Sequence, residues 1–310
     1  MRADPQPVVA VGTASLDIHG FSEHSLIAGD SNPGTVAVSL GGVARNISEN
    51  LARLGNAVTL VTALGGDDHG RRIERECSTV GIDMRMSVSI PGADSSTYMA
   101  MIDADGEMAL ALSDSRILEE LTVELLQERR AVLEAAGAIV ADAGLRYDCL
   151  DYLRSRFTGK PLILEAVSVK KCSRIPHPYH GFSCLKMNRA EAAQLTGAPI
   201  GDLRDLDRAG ELLVSSGAQS VFITAGNEGV YYRDSRDSGV VPAQPTVVRN
   251  VSGAGDAFTA GAVHAQLRGL PIREAAEYGV AAAAIALQSP DTVSPNMSVA
   301  AVERLRSDAH

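Results

Sequence analysis

The chain has 310 residues, 45% of them hydrophobic and 21% charged, which is enough for one large globular domain or for a domain with a small attachment. Its formal net charge of −10 argues against nucleic acid or an anionic membrane as a partner, because proteins that bind those surfaces carry basic patches. Cys77, Cys149, Cys172 and Cys184 are widely spaced with no Cys-x-x-Cys pair, as expected of reduced thiols rather than a disulfide framework.

The start, "MRADPQPVVAVG", places Asp4, Pro5 and Pro7 where a secretory signal needs an apolar run, so a cytoplasmic location is expected. Short β-branched runs at 8–12, 58–65, 138–142, 162–166, 184–188 and 221–226 have the composition of buried parallel strands. Between them, Val43, Ile47, Leu51 and Leu54 share one helical face, and similar patterns run through 67–80, 122–136, 189–196, 205–216, 254–268 and 271–287. The alternation predicts an α/β fold, a doubly wound and mostly parallel sheet flanked by helices. The apolar stretch "VAAAAIAL" at 280–287 is too short to span a bilayer.

Two segments, 18–40 and 85–112, interrupt this rhythm with alternating residues and the turn signals "GDSNPG", "PGADSS" and "DADGE". They predict a small antiparallel β lid on a single domain covering residues 1–310. An apolar face on that lid would make a homodimer natural.

Near the C-terminus, "NVSGAGDAFTAG" at 250–261 lies between a valine-rich segment and an alanine-rich helix. Gly253, Ala254 and Gly255 at the bend let backbone approach a ligand closely, and the free N–H groups of the first helical turn converge into an anion site. The loop is not a Walker A sequence, since no Gly-Lys-Ser/Thr follows, and its glycine spacing fails G-x-G-x-x-G. Asp256 can be read in two ways. It is either an acid that complements the helix dipole or a general base facing the anion site, the pair needed to transfer a phosphoryl group onto a hydroxyl.

"GTASLDIHG" at 12–20, "SLGGVARNISENLARLG" at 39–55 and "NVSGAGDAFTAG" resemble the signatures of the ribokinase-like (PfkB) carbohydrate kinases. "ALGGDDHG", "LKMNRAEAAQLTG" and "ITAGNEGVYY" fall in the family's order between them. Within that family, "GDSNPG" ahead of "GGVARN", and "EAVSVKK" at 165–171, look most like pseudouridine kinases.

The resemblance implies that Asp17, Gly41, Gly42 and Asn46 hold the sugar hydroxyls. Gly253, Ala254 and Gly255 then form the anion hole, with Asp256 as base and Ser252 near phosphate. Asn188 and Glu191 match an Asn-x-x-Glu that organises Mg²⁺ and phosphates, while also reading as a helix cap with its capping-box acid. Thr224, Gly226 and Gly229 would pass the nucleotide. Lys186 and Lys171 are weaker phosphate candidates that read equally as surface lysines. Glu165 stands where the family often has Asp-Pro and is a doubtful metal ligand. Asn250 replaces a common Asp, which leaves K⁺ dependence open. His177 and His180, in a proline-rich loop, lack the further ligands of a structural metal site.

Ser31, Asn32, Thr97 and Met99 on the lid are the candidates for reading the base, although "SNPG" is a good turn by itself. The implied activity is ATP- and Mg²⁺-dependent phosphorylation of the 5′-hydroxyl of a small-molecule ribosyl nucleoside, with pseudouridine the first expected substrate. Ribose, adenosine or another nucleoside is the alternative. A nucleoside-binding sensor without chemistry and a dinucleotide oxidoreductase are the rivals from other classes.

Overall fold

A computed structural model of the chain describes residues 7–308. It opens with the buried strand β1 (Val8–Val11), then β2 (Ser15–Ser22) and β3 (Gly34–Gly41), before helix α1 (Val43–Arg53) returns the chain to the core. Next come β4 (Val58–Val61), β5 (Ala63–Gly65), α2 (Asp68–Thr79), β6 (Ile82–Asp83), β7 (Val88–Ile90), β8 (Thr97–Ile102) and β9 (Met108–Asp114). The middle of the chain alternates through α3 (Val123–Glu128), α4 (Arg130–Ala135), β10 (Ala138–Asp142), α5 (Tyr147–Arg156), β11 (Leu162–Glu165), β12 (Cys184–Asn188), α6 (Arg189–Thr196) and α7 (Leu203–Ser215). Then β13 (Ser220–Thr224), β14 (Val230–Asp234) and β15 (Ser238–Val241) precede α8 (Ala254–Leu267), α9 (Ile272–Leu287) and α10 (Val299–Asp308).

The main sheet runs β15-β14-β13-β12-β11-β10-β1-β4-β6, parallel from β13 to β6 and antiparallel at the β14 and β15 edge. Its strands are continuous apolar runs because both faces are covered. One face meets Ile47 and Leu51 of α1 together with α8, α9 and α10. The other meets Leu126, Leu150, Leu153 and Leu206 from α3, α5 and α7. Parallel pairing brings the C-terminal ends of β10 to β13 to one rim, with Asp142 beside Glu165, Glu165 beside Lys186, and Asn188 beside Thr224. Ligands of such sheets sit outside those strand ends. The four cysteines are buried free thiols, and among the described residues no helix is long and apolar enough to cross a membrane.

The sheet expected to form the lid is four-stranded, in the order β3-β2-β8-β9. Each hairpin is antiparallel as expected, while β2 and β8, which join the hairpins, pair in parallel. Residues 85–96 differ from the expectation. They carry β7, which pairs with β5 on the core side, and the lid resumes only at Thr97. One lid face carries Asp17, Ser39 and Tyr98 in register; the other carries Ile18, Val38 and Met99, with Leu112 beside Met99. Leu16 and Leu40 on this second face are buried in the small cluster around Ile73 of α2. Further out, Val36, Val38, Met99, Leu110 and Leu112 lie exposed.

Candidate active site

The glycine loop begins α8. Gly253 is the N-cap residue at φ 77°, and a Cβ there would sit 2.1 Å from the Thr292 carbonyl oxygen, so both conformation and space require glycine. A Cβ on Gly255 would lie 2.8 Å from Lys186 Nζ, which places an ammonium group directly beside the amide cradle. Asp256 follows in the first helical turn, 9% exposed, and its Oδ2 accepts from Asn46 Nδ2 at 2.7 Å. An acid serving only the helix dipole would face water. This one is buried and held by a residue of α1. Burial pushes its carboxyl up to about 6, against the opposing Asn46 hydrogen bond and the cations Lys186 and Arg45, with Asp142 adding to the rise.

The residues expected to contact the sugar lie at the start of the helix that carries Asn46 and on the strand beside it. Asp17 projects from β2 against Gly41, where a Cβ would lie 2.0 Å from its carboxylate, so glycine is what lets the two approach. Gly42, at φ 92°, begins α1 four residues ahead of Asn46 and packs on Thr13 and Ala14. Asp17 accepts from Ser15 Oγ at 2.8 Å. Burial raises its carboxyl above the ordinary range despite that bond and the nearby His19 and Arg45.

A cavity of about 670 Å³ opens from the glycine loop toward the end of β13, lined by Thr224, Gly226, Gly229, Ala254, Gly255 and Phe258 among others. Of the residues expected at the nucleotide, Thr224, Gly226 and Gly229 line this space, and Asn188, Ser252 and Lys186 do not. Asn227, which the sequence reading did not single out, lines it as well. Ser252 is exposed at the loop; its N–H donates to Asn250 Oδ1 at 2.9 Å, while Asn250 Nδ2 donates to the Pro290 carbonyl at 3.0 Å.

Lys186 and Glu165 depart from expectation. Lys186 is no surface lysine: at 5% exposure it pairs with Glu165, itself 3% exposed, at 3.0 Å. Burial would lower the Lys186 pKa, but Glu165, Asp256 and Glu191 together hold it above the usual value, so the ammonium stays charged. Glu165, which the family resemblance offered as a doubtful metal ligand, gives one oxygen to Lys186 and the other to Thr259 Oγ1 at 2.7 Å. Lys171 stays half-exposed, away from any such partner.

Asn188 and Glu191 form a full capping box. The Glu191 oxygens accept from Asn188 N at 2.7 Å and Nδ2 at 2.8 Å, and Asn188 Oδ1 accepts from Glu191 N at 2.9 Å. Among the described residues no group of three or more His, Cys, Asp or Glu could cage a metal. Both Glu191 oxygens are engaged by Asn188, so a hard ion would meet this carboxylate only through its own waters.

The lid candidates divide. Thr97 and Met99 are in register with Leu16 and Ile18, on the face opposite Asp17, so they point away from the residues expected to contact the sugar. Tyr98 occupies the place expected of them. Asn32 is absorbed by its own turn, accepting from Ile27 N at 2.8 Å and donating to the carbonyls of Ile27 and Asp30 at 3.0 Å, and Ser31 beside it is exposed.

Two residues missed in the sequence organise the site. Asp142, at the end of β10, accepts from Thr13 N and Gly144 N at 2.7 Å and from Ala44 N at 3.2 Å, pinning the start of α1 to the strand ends. Its signal was an acid closing the run "AIVAD". Arg45, 3% exposed on α1, touches Asn46.

The pfkB family carbohydrate kinase model matches residues 6–298. The chain belongs to the pfkB family of carbohydrate kinases. Pseudouridine kinase of Escherichia coli is 33% identical over 303 residues, covering 97% of each chain. Among solved structures, a putative sugar kinase from Clostridium perfringens superposes with a TM-score of 0.84 at 32% identity, covering 99% of this chain and 97% of that one. An Arabidopsis thaliana ribokinase complexed with ribose and ATP gives 0.81 at 20% identity, covering 97% and 99%, and shares the ribokinase-like fold. Of the pfkB signatures recognised in the sequence, the α1 segment and the glycine loop meet directly, through Asn46 and Asp256.

Proposed function

We propose that this pfkB kinase transfers the γ-phosphoryl group of ATP to the 5′-hydroxyl of a ribosyl nucleoside, and that pseudouridine is the substrate. The observation that carries the reading is the buried Asp256, held by Asn46 between the glycine-lined cavity and the Asp17, Gly41 and Gly42 cluster. In this reading Asp17 accepts from ribose hydroxyls and Asp256 takes the proton of the attacking hydroxyl. The α8 amides and Lys186 offset the charge on the phosphate. Mg²⁺ bound with the nucleotide would neutralise phosphate charge, reached through water by Asn188 and Glu191. The similarity to a pseudouridine kinase supports the choice of base.

The test is ADP release from ATP and Mg²⁺ with pseudouridine, uridine, adenosine and ribose, followed by mass spectrometry of the product. Pseudouridine is expected to give the highest kcat/KM and a 5′-monophosphate. Turnover of ribose or adenosine alone would overturn the substrate, and no turnover on any compound would favour a binding protein.

Asp17→Ala is expected to weaken nucleoside binding by about 1–3 kcal/mol while ATP affinity stays unchanged, since a site built for hydroxyls loses its acceptor. Calorimetry that finds equal losses for both ligands would assign the effect to the fold. A base must be ionised to act, and the Asp256 carboxyl is pushed up to about 6, so kcat/KM is expected to fall as pH drops through that value. A profile flat down to pH of about 5 would separate Asp256 from the rate.

A further inference from the structure

The carboxamide of Asn46 has two ends, and only one suits a basic Asp256. Its Nδ2 donates to Asp256 Oδ2 at 2.7 Å, and Asp256 Oδ1 takes no hydrogen bond from the described residues. That leaves Oδ1 free for a hydroxyl proton. A carboxamide turned over would set its own oxygen against Oδ2, two acceptors face to face, unless Asp256 took up a proton and ceased to be a base.

Arg45 prevents that reversal. A guanidinium carries donors only, and one of its NH2 protons points at Asn46 Oδ1. The group is itself immobilised: its NH2 also donates to the Leu40 carbonyl at 2.6 Å and its Nε to the Gly41 carbonyl at 3.3 Å. Its NH1 pairs with Glu49, whose other oxygen accepts from Arg53 at 2.7 Å and 2.9 Å. The chain Arg53, Glu49, Arg45, Asn46, Asp256 therefore runs along α1 into the site. We propose that Arg45 is a positioning residue that fixes which end of the Asn46 carboxamide meets Asp256, and so keeps the carboxylate able to accept the proton.

This rests on the reading of Asp256 as the base, and the competing account is that Arg45 only ties the end of the lid to α1. Steady-state kinetics of the full chain with ATP, Mg²⁺ and pseudouridine separate the two. Arg45→Met is expected to lower kcat about 10- to 100-fold with both KM values within about threefold of wild type, the pattern of an interaction used in the reaction step. Arg45→Lys, still a pure donor, is expected to recover most of the loss. In an Asn46→Ala background Arg45→Met is expected to change kcat by less than about twofold, because its effect passes through Asn46. Losses that multiply in the double variant, or a wild-type kcat in folded Arg45→Met, would overturn the proposal.

If Arg45→Met does not fold, Arg45→Gln decides, since its amide can meet either end of Asn46 and is expected to lower kcat as well. A second readout needs no turnover. The Asn46 side-chain NH2 resonances are expected to exchange slowly with solvent in the wild type and rapidly in Arg45→Met or Arg45→Gln. Equal protection would overturn the proposal even if no nucleoside were phosphorylated, a result that by itself would count only against the functional reading.

Discussion

Asp256→Asn is expected to lower kcat by roughly 10²–10⁴-fold while leaving substrate and ATP affinities near wild type, the range for loss of a general base. The substitution is nearly isosteric, and its amide oxygen can still accept from Asn46 Nδ2, so the geometry at the start of α8 should survive. What disappears is the proton acceptor. A single-turnover measurement with product quantified by mass spectrometry checks this, and near-normal turnover by a folded variant would return Asp256 to its helix-dipole role.

Lys186→Met is expected to cost about 3–5 kcal/mol of stability, the range for removing one partner of a buried ion pair. The loss arises less from the missing attraction than from the carboxylate left behind. Glu165 is fully buried, and burial already pushes its carboxyl up to about 7 with Lys186 opposing the rise. Without the ammonium it must take a proton, so the variant should fare worse as pH increases from about 5 to about 8. Adding Glu165→Gln should restore most of the stability, because both charges are then gone and Thr259 keeps a partner. Denaturant midpoints for the wild type, single and double variants check this. A Lys186→Met variant as stable as wild type would mean that the pair contributes nothing net. In the proposed reading the double variant should still turn over slowly, because the cation beside Gly255 is gone.

The parallel core was legible because buried strands such as "VVAV" and "AIVAD" are apolar throughout, and the glycine loop because few local structures need that run of small residues ahead of an acid. Lys186 was not. In "CLKMN" a lysine within an apolar run looks like a solvent-facing exception, and only the pairing of β11 with β12 sets it beside Glu165. The lid faces failed for a related reason. Turn signals located the hairpins, but which residues face the site depends on the register between β2 and β8, and no turn connects those strands. Arg45 escaped because an arginine on an amphipathic helix is assigned to water by default, whereas here the end of the lid closes over it.

The parallel junction of β2 and β8 also bears on how the protein is made. Each hairpin can close on itself as it leaves the ribosome, but the strand that completes β2 arrives only after β4 to β7 have been synthesised. Until then β2 presents an unpaired edge next to the exposed Val36 and Val38 of β3. The assembly of this sheet therefore waits on a contact distant in sequence, and until then its edge is open to wrong partners.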